Sequence, residues 1–190
     1  MRNQNYYYFA ATLSPINYGD KPPISSEDFR KLCRENLSKE DAELLKYCYF
    51  DSKLAVETTK PTGSEFIDSV LTRIRVLIVN IAALRAKRLG RKISETDFID
   101  ETQPAIDAGK TAYEMDDPLE ATLYLNKESW IFLDELMKDS YFDVDNIYCY
   151  LLRLQLLERL QIFDVLKGNT EYKQLYDTIL NDYNTNFNEA

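Results

Sequence analysis

Along this chain apolar residues recur at three- and four-residue spacing much more often than at two, which predicts helices and leaves no confident strand. The strongest segment starts at Ser64. Phe66, Ile67, Val70, Leu71, Ile74, Leu77, Ile78, Ile81 and Leu84 follow at helical spacing, and Val76 and Val79 widen the stripe until most of the girth is apolar. A rod of that kind is contacted from several sides, so the pattern predicts a long central helix over residues 64–90. Ser64 is its cap, Glu65 and Asp68 sit in its first turns, and Gly90 stands where a C′ glycine ends a helix.

The remaining segments are shorter. Ser25-Ser26-Glu27-Asp28 opens a helix with Phe29, Leu32 and Cys33 on its apolar face, and Ser38 caps a second with Leu44, Leu45, Cys48 and Tyr49 facing inward. So little chain separates the two that they form a tight corner or hairpin. Asp51–Gly63 is polar, holds Pro61 and Gly63, and reads as a linker. Ser94-Glu95-Thr96-Asp97 starts a short helix through Ile99, and residues 100–117 are acidic and weakly patterned. Asp116-Asp117-Pro118 combines an acidic cap with proline at the first helical position. Leu119, Leu123, Leu125, Trp130, Leu133, Leu136 and Met137 form the face of the helix that follows. Another opens at Phe142-Asp143-Val144-Asp145 and runs through Leu151, Leu154, Leu157, Leu160 and Val165 to Gly168. The last begins near Asn169–Thr170 and carries Tyr172, Leu175, Tyr176, Ile179 and Leu180 before a polar tail, Asn181–Ala190, that frays. At the other end, Tyr6–Leu13 is either a strand or a helical turn and a half. The expected fold is all-α: six or seven helices packed around the 64–90 helix. It forms a single helical domain over 1–190, with the 51–63 linker dividing a small N-terminal part from a 64–183 main part.

Charge changes this picture. The chain carries a net −9, but residues 1–63 are neutral, residues 64–93 carry +5 and residues 94–190 carry −14. An acidic chain repels phosphate backbones, so nucleic acid is not an expected partner. The stretch RIRVLIVNIAALRAKRLGRK, residues 73–92, concentrates the positive charge around an apolar middle. Its uncharged run, Val76–Leu84, has nine residues and includes Asn80, whereas a spanning helix needs about twenty. The basic end, Arg85, Lys87, Arg88, Arg91 and Lys92, has two readings. These cations meet the negative end of the helix dipole and pair with the acidic second half of the chain. Alternatively, they form a docking patch for an acidic protein partner, which makes them the candidate partner-binding residues.

Candidate chemistry is sparse. The chain has no histidine, which removes Ser-His-Asp and Cys-His arrangements and histidine metal sites. Its glycines, at 19, 63, 90, 109 and 168, stand too far apart for a phosphate-cradling loop. Cys33, Cys48 and Cys149 make no C-x-x-C motif and read as reduced thiols of a cytosolic protein. Glu114, Asp116 and Asp117 are the tightest carboxylate group. They suit either a hard cation or, better, a solvated acidic helix start. Neither a catalytic residue, nor a metal, nor a cofactor is expected, and the chain does not read as an enzyme. Tyr6, Tyr7 and Tyr8 are either a stacking platform for bases or, in an acidic chain, an anchor of the N-terminus into the core with hydroxyls reaching water. The start, MRNQNYYYFAATLSP, is too aromatic and too poor in charge for a secretory signal, so a cytoplasmic protein is expected.

Three segments carry a resemblance. The first is Tyr6–Pro15 with Asp28-Phe29-Arg30, the second is Asn80–Arg91, and the third is Trp130–Leu136 joined to Phe142–Arg159. Together they resemble an uncharacterised bacterial family encoded beside V-type ATPase genes. That family is in turn similar to the C/d family of V-type ATPase components. Members of the C/d family are funnels of helical units that seat on the membrane rotor ring and receive the foot of the central axle. The resemblance implies C/d-like helical units in a non-catalytic subunit or accessory protein of a V-type ATPase, coupling or assembling the central stalk and the rotor ring in ion transport. It implies V-type ATPase subunits as partners, contact with the membrane only through the rotor ring, and a cytoplasmic location peripheral to the inner membrane when assembled. It supplies no binding residues. A free-standing cytoplasmic helical adaptor binding an acidic protein partner is the alternative that the residues themselves leave open.

Overall fold

The computed structural model describes residues 6–91, 103–138 and 143–162, and beyond them 172–173, 175–176 and 178–179. Among these residues are eight α-helices, one 3-10 turn and no strand, so the fold is all-α. The helices are α1 (Tyr7–Ala11), α2 (Ser26–Asn36), α3 (Lys39–Leu44, continued by the 3-10 turn Leu45–Tyr47), α4 (Ser52–Glu57), α5 (Glu65–Arg88), α6 (Gln103–Glu114), α7 (Pro118–Leu136) and α8 (Val144–Ile162). Several expected features lie outside the described residues: the short helix from Ser94 to Ile99, Phe142, the helix end Val165–Gly168, the start at Asn169–Thr170, Leu180 and the 181–190 tail.

The starts follow the local chemistry of the chain. Ser25 Oγ accepts from the Asp28 N–H at 3.1 Å, Ser38 Oγ from the Asp41 N–H at 3.1 Å, and Ser64 Oγ from the Ile67 N–H at 3.3 Å. Asp117 accepts from the Leu119 N–H at 2.8 Å, with Pro118 opening α7. Each bond satisfies one of the N–H groups that a helix start leaves without an intrahelical partner. The stop of α5 is equally local. The Arg91 N–H reaches Ala86 O at 2.9 Å and the Gly90 N–H reaches Lys87 O at 3.1 Å, with Gly90 at φ 69°. This paired closure needs a left-handed residue, which glycine adopts without a Cβ penalty.

Three elements differ from the sequence expectation, and one that it left open is decided. Tyr6–Leu13 resolves as the helical turn α1. The expected 51–63 linker contains a helix: Asp51 accepts from the Leu54 N–H at 3.0 Å and opens α4, whose Ala55 is fully buried. Arg75 of α5 then holds the far end of α4, its Nε donating to Ala55 O at 3.0 Å and its Nη2 to Thr58 O at 2.6 Å. The weakly patterned 100–117 region contains α6, whose buried face is Ala105, Ala108, Gly109 and Ala112. That face has ideal helical spacing but almost no hydrophobic weight, because small residues let the α6 backbone lie close against Leu77 and Ile81 of α5. With α1, α4 and α6 present, the helices number eight among the described residues, where six or seven were expected.

The third difference concerns the centre. α5 is long and well buried over its first half, through Phe66, Ile67, Val70 and Leu71. The most thoroughly enclosed helix, however, is α8, with every residue from Ile147 to Leu152 buried and then Leu154, Leu156 and Leu157. α2 and α7 pack against it. Two polar ties fix the α2 contact: Glu158 accepts from both the N–H and the hydroxyl of Ser26 at 2.6 Å. Phe29 of α2 also lies 4.9 Å from the Tyr150 ring, centroid to centroid. One hydrophobic cluster includes residues from Phe29 to Ala55 and from Phe66 to Leu157, on both sides of the 51–63 stretch.

The aromatic N-terminus is an anchor in part. Tyr6 donates to Asp41 Oδ2 at 2.7 Å, and Phe9 stacks on Phe29 at 6.0 Å. Tyr7 and Tyr8 turn outward, 49% and 87% exposed. Thus the Tyr6 hydroxyl meets a carboxylate instead of the water that was expected.

At the start of α8, the Ser64 hydroxyl donates to Asp145 Oδ1 at 3.4 Å. Burial pushes the Asp145 carboxyl above its usual range. The Ser64 hydrogen bond opposes this, while the nearby charges of Asp143, Glu65 and Asp41 push it further up. A folded-state pKa above the unfolded value gives a contribution that is fully present below the unfolded pKa of about 3.9 and is lost as pH rises through the folded pKa. Asp145→Asn is therefore expected to be more stable than the parent at pH 7, with the difference closing toward pH 4. Urea melts at the two pH values check it; equal stability at pH 7 would remove the assigned burial penalty.

Candidate functional site

α5 delivers the basic residues singled out in the sequence to the surface. Arg85, Lys87 and Arg88 occupy its last turn, and Arg91 follows the Gly90 stop. All four are exposed. Lys92 lies outside the described residues. The four cations sit at the carbonyl end of a 24-residue helix, where the dipole favours positive charge. In-chain pairing with the acidic half does not accompany this: among the described residues none of the four is in an ion pair. The physical reason is general. Long exposed side chains lose rotamer freedom when held in one geometry, and water screens what they would gain.

Beside this end runs a groove of about 340 Å³ between α5, α6 and the start of α7. Ile81, Ala112, Pro118 and Leu125 supply apolar lining, and Arg85 stands on its wall. The carboxylates of the α6–α7 corner are at or beside helix ends and are not part of this lining. Asp117 is the α7 cap, Glu114 is the last residue of α6, and Asp116 lies exposed between them. Among the described residues no group of three or more histidine, cysteine, aspartate or glutamate side chains is placed to hold a metal ion. No helix among them is long and apolar enough to cross a membrane.

The three cysteines are buried and free. Burial pushes the Cys33 and Cys149 thiols up to about 12 and raises Cys48 further. Thiols held protonated this way pack as small apolar groups and are poor nucleophiles at neutral pH.

Two buried arginines fall outside the candidate partner-binding residues read from the sequence. Arg30 of α2 is 2% exposed and ties the 3-10 turn. Arg73 of α5 is 7% exposed. A signal for Arg73 exists in the pattern. Phe66, Val70, Arg73, Leu77, Asn80 and Leu84 share one stripe of alternating four- and three-residue steps, so Arg73 and Asn80 interrupt an otherwise apolar seam. Asn80 satisfies itself locally, its Nδ2 donating to Val76 O at 2.9 Å. Arg73 makes no ion pair among the described residues.

One apolar stripe lies on the surface. Tyr172, Leu175, Tyr176 and Ile179 keep their helical spacing, and the Tyr172 and Tyr176 rings stack at 6.4 Å. They are 70%, 61%, 54% and 59% exposed.

Residues 111–183 match a family model described as a protein of unknown function (DUF2764). The match covers the end of α6, all of α7 and α8, and the exposed stripe. It includes the third of the three segments that carry the resemblance and leaves out the first two. No curated protein and no solved structure matches the chain.

Proposed function

We propose that the chain is a non-catalytic helical subunit or accessory protein of a V-type ATPase that couples or assembles the central stalk and the membrane rotor ring. In this reading it engages an acidic partner surface through Arg85, Lys87, Arg88 and Arg91. The observation that carries the proposal is the state of those four residues: exposed, gathered at one helix end, and free of ion pairs among the described residues. A cluster held in that way keeps its charge for an external partner, where complementarity raises the encounter rate and sets register. The frame behind it suits a coupling part. Close-packed interiors resist deformation, and α8 is enclosed by α2 and α7 with cross-element hydrogen bonds such as Ser26 to Glu158. The rotary-motor context comes from the sequence resemblance, and the family description of residues 111–183 names no activity or partner.

The test is recovery of partners from the native cell with a tagged full-length chain. V-type ATPase subunits are expected in the eluate, and the triple variant Arg85→Glu, Lys87→Glu, Arg88→Glu is expected to reduce their recovery at least about tenfold with an unchanged melting temperature. Each of those cations gives at most about 0.3–1 kcal/mol at a helix end, so the fold tolerates the reversal. An eluate without ATPase subunits sinks the motor assignment, and an unrelated acidic partner in it supports the free-standing adaptor. Unchanged recovery together with lost stability assigns the basic end a purely structural role.

A further inference from the structure

The first half of α5 faces α6 and α7 across a cleft of about 640 Å³. That volume is within the usual range for small-molecule sites, roughly 300–1,000 Å³. Arg73 is part of its lining and is nine-tenths buried. The guanidinium carbon of Arg73 lies 4.5 Å from the centre of the Phe132 ring, and Nη2 donates to Glu128 O at 3.3 Å. Nε has no acceptor, and among the described residues no carboxylate pairs with the group. A guanidinium has five N–H donors, and here one is used. Withdrawing such a cation from water without a counter-charge carries a penalty of several kcal/mol. An aromatic face beneath it holds the planar fork in place. Burial also lowers the Arg73 pKa, while the charges of Glu128 and Glu135 oppose that shift.

The rest of the lining restricts what enters. Glu65, Asp68 and Glu135 are the carboxylates of the cleft, with Glu65 and Glu135 exposed. Asp68 Oδ1 is partly engaged by the Thr62 N–H at 2.9 Å. Three acids against one arginine reject a simple anion, because the field at the mouth is negative. A simple cation would leave Arg73 as it is. Phe132 and Leu136 add an apolar wall. We propose that this cleft binds a small zwitterion of the amino-acid class, with its carboxylate on the Arg73 guanidinium, its ammonium at the carboxylate rim, and its aliphatic part against Phe132 and Leu136. The carboxylate contact gives the guanidinium an ion-pair partner, and the ammonium makes the ligand acceptable to the rim. This site is separate from the basic end of α5, so its failure leaves the proposed function untouched.

The test is amide-resolved NMR titration of the full chain with glycine, L-alanine, L-leucine and L-methionine, alongside acetate and ethylammonium as half-ligands. Saturable shifts are expected at Ser69, Thr72 and Phe132 with L-leucine or L-methionine, and each half-ligand is expected to bind at least about tenfold more weakly. Arg73→Met is expected to abolish the shifts. Glu135→Gln, at an exposed position, is expected to weaken binding about threefold or more with the fold intact. No saturable shift with any of the four amino acids overturns the proposal, as does a folded Arg73→Met that binds like the parent. If Arg73→Met does not fold, Glu135→Gln decides: unchanged affinity there counts against the site.

Discussion

Leu154→Ala is expected to lower the free energy of unfolding by about 2–5 kcal/mol, seen as a fall in the urea midpoint with an unchanged slope. Leu154 lies on α8 with no exposed surface, and the residues around it on that helix, Leu151, Leu152, Leu156 and Leu157, are at 0–1% exposure. A site walled in so completely cannot collapse around a missing side chain, so the lost transfer energy and the cavity add. Domains of this size are stable by only about 5–15 kcal/mol, so the loss is a large share of the total. Ile162→Ala is the control on the same helix. Ile162 is 78% exposed, and its replacement is expected to change stability by less than about 0.5 kcal/mol. Equal effects at the two positions would contradict the placement of α8 at the centre of the core.

The second large effect concerns a charge. Arg30→Met is expected to destabilise the fold by about 1–3 kcal/mol in the same measurement. Arg30 Nη1 donates to Leu45 O at 2.7 Å and Nη2 to Cys48 O at 2.5 Å, while its guanidinium lies 3.6 Å from the centre of the Tyr49 ring. The cation thus ties the carbonyl groups of the 3-10 turn to α2. Charge-assisted bonds of this kind are worth about 1.5–3 kcal/mol each, and two effects reduce the net figure. Both carbonyls keep a second donor, the Cys48 N–H at 3.1 Å on Leu45 O and Gln155 Nε2 at 2.9 Å on Cys48 O. Methionine also removes the desolvation penalty of a buried cation. Arg30→Lys keeps the charge but lacks the fork that spans two carbonyls, and it is expected to recover less than half of the loss. A methionine variant as stable as the parent would show that the two bonds only offset the desolvation.

The two arginines of the buried set separate structure from candidate function. Arg30 uses both terminal nitrogens on backbone oxygens of its own fold. Arg73 uses one, on Glu128 O, and lines an open cleft. Arg73 interrupts an apolar seam in the sequence, whereas Arg30 stands in a mostly polar helix beside Phe29. The difference arises from what α7 and the 3-10 turn place opposite them.

The sequence by itself determined what depends on a few consecutive residues. Ser25, Ser38, Ser64 and Asp117 cap helices because a side-chain oxygen two or three residues from a bare N–H needs no distant partner. Gly90 ends α5 for an equally local reason, and the basic end of that helix was legible because charge and helix direction are both written in the chain. The all-helical class followed from the same periodicity. Tertiary structure decided what depends on the far side of a contact. The small-residue face of α6 carries little hydrophobic signal until α5 is laid against it, and α4 emerges from a polar stretch because Arg75 and the core hold it. The stripe at Tyr172–Ile179 has the period of a buried face and is exposed, while α8 takes the centre. Period states only which side chains share a face; whether that face meets protein or water is set by the packing of helices that are distant in the chain.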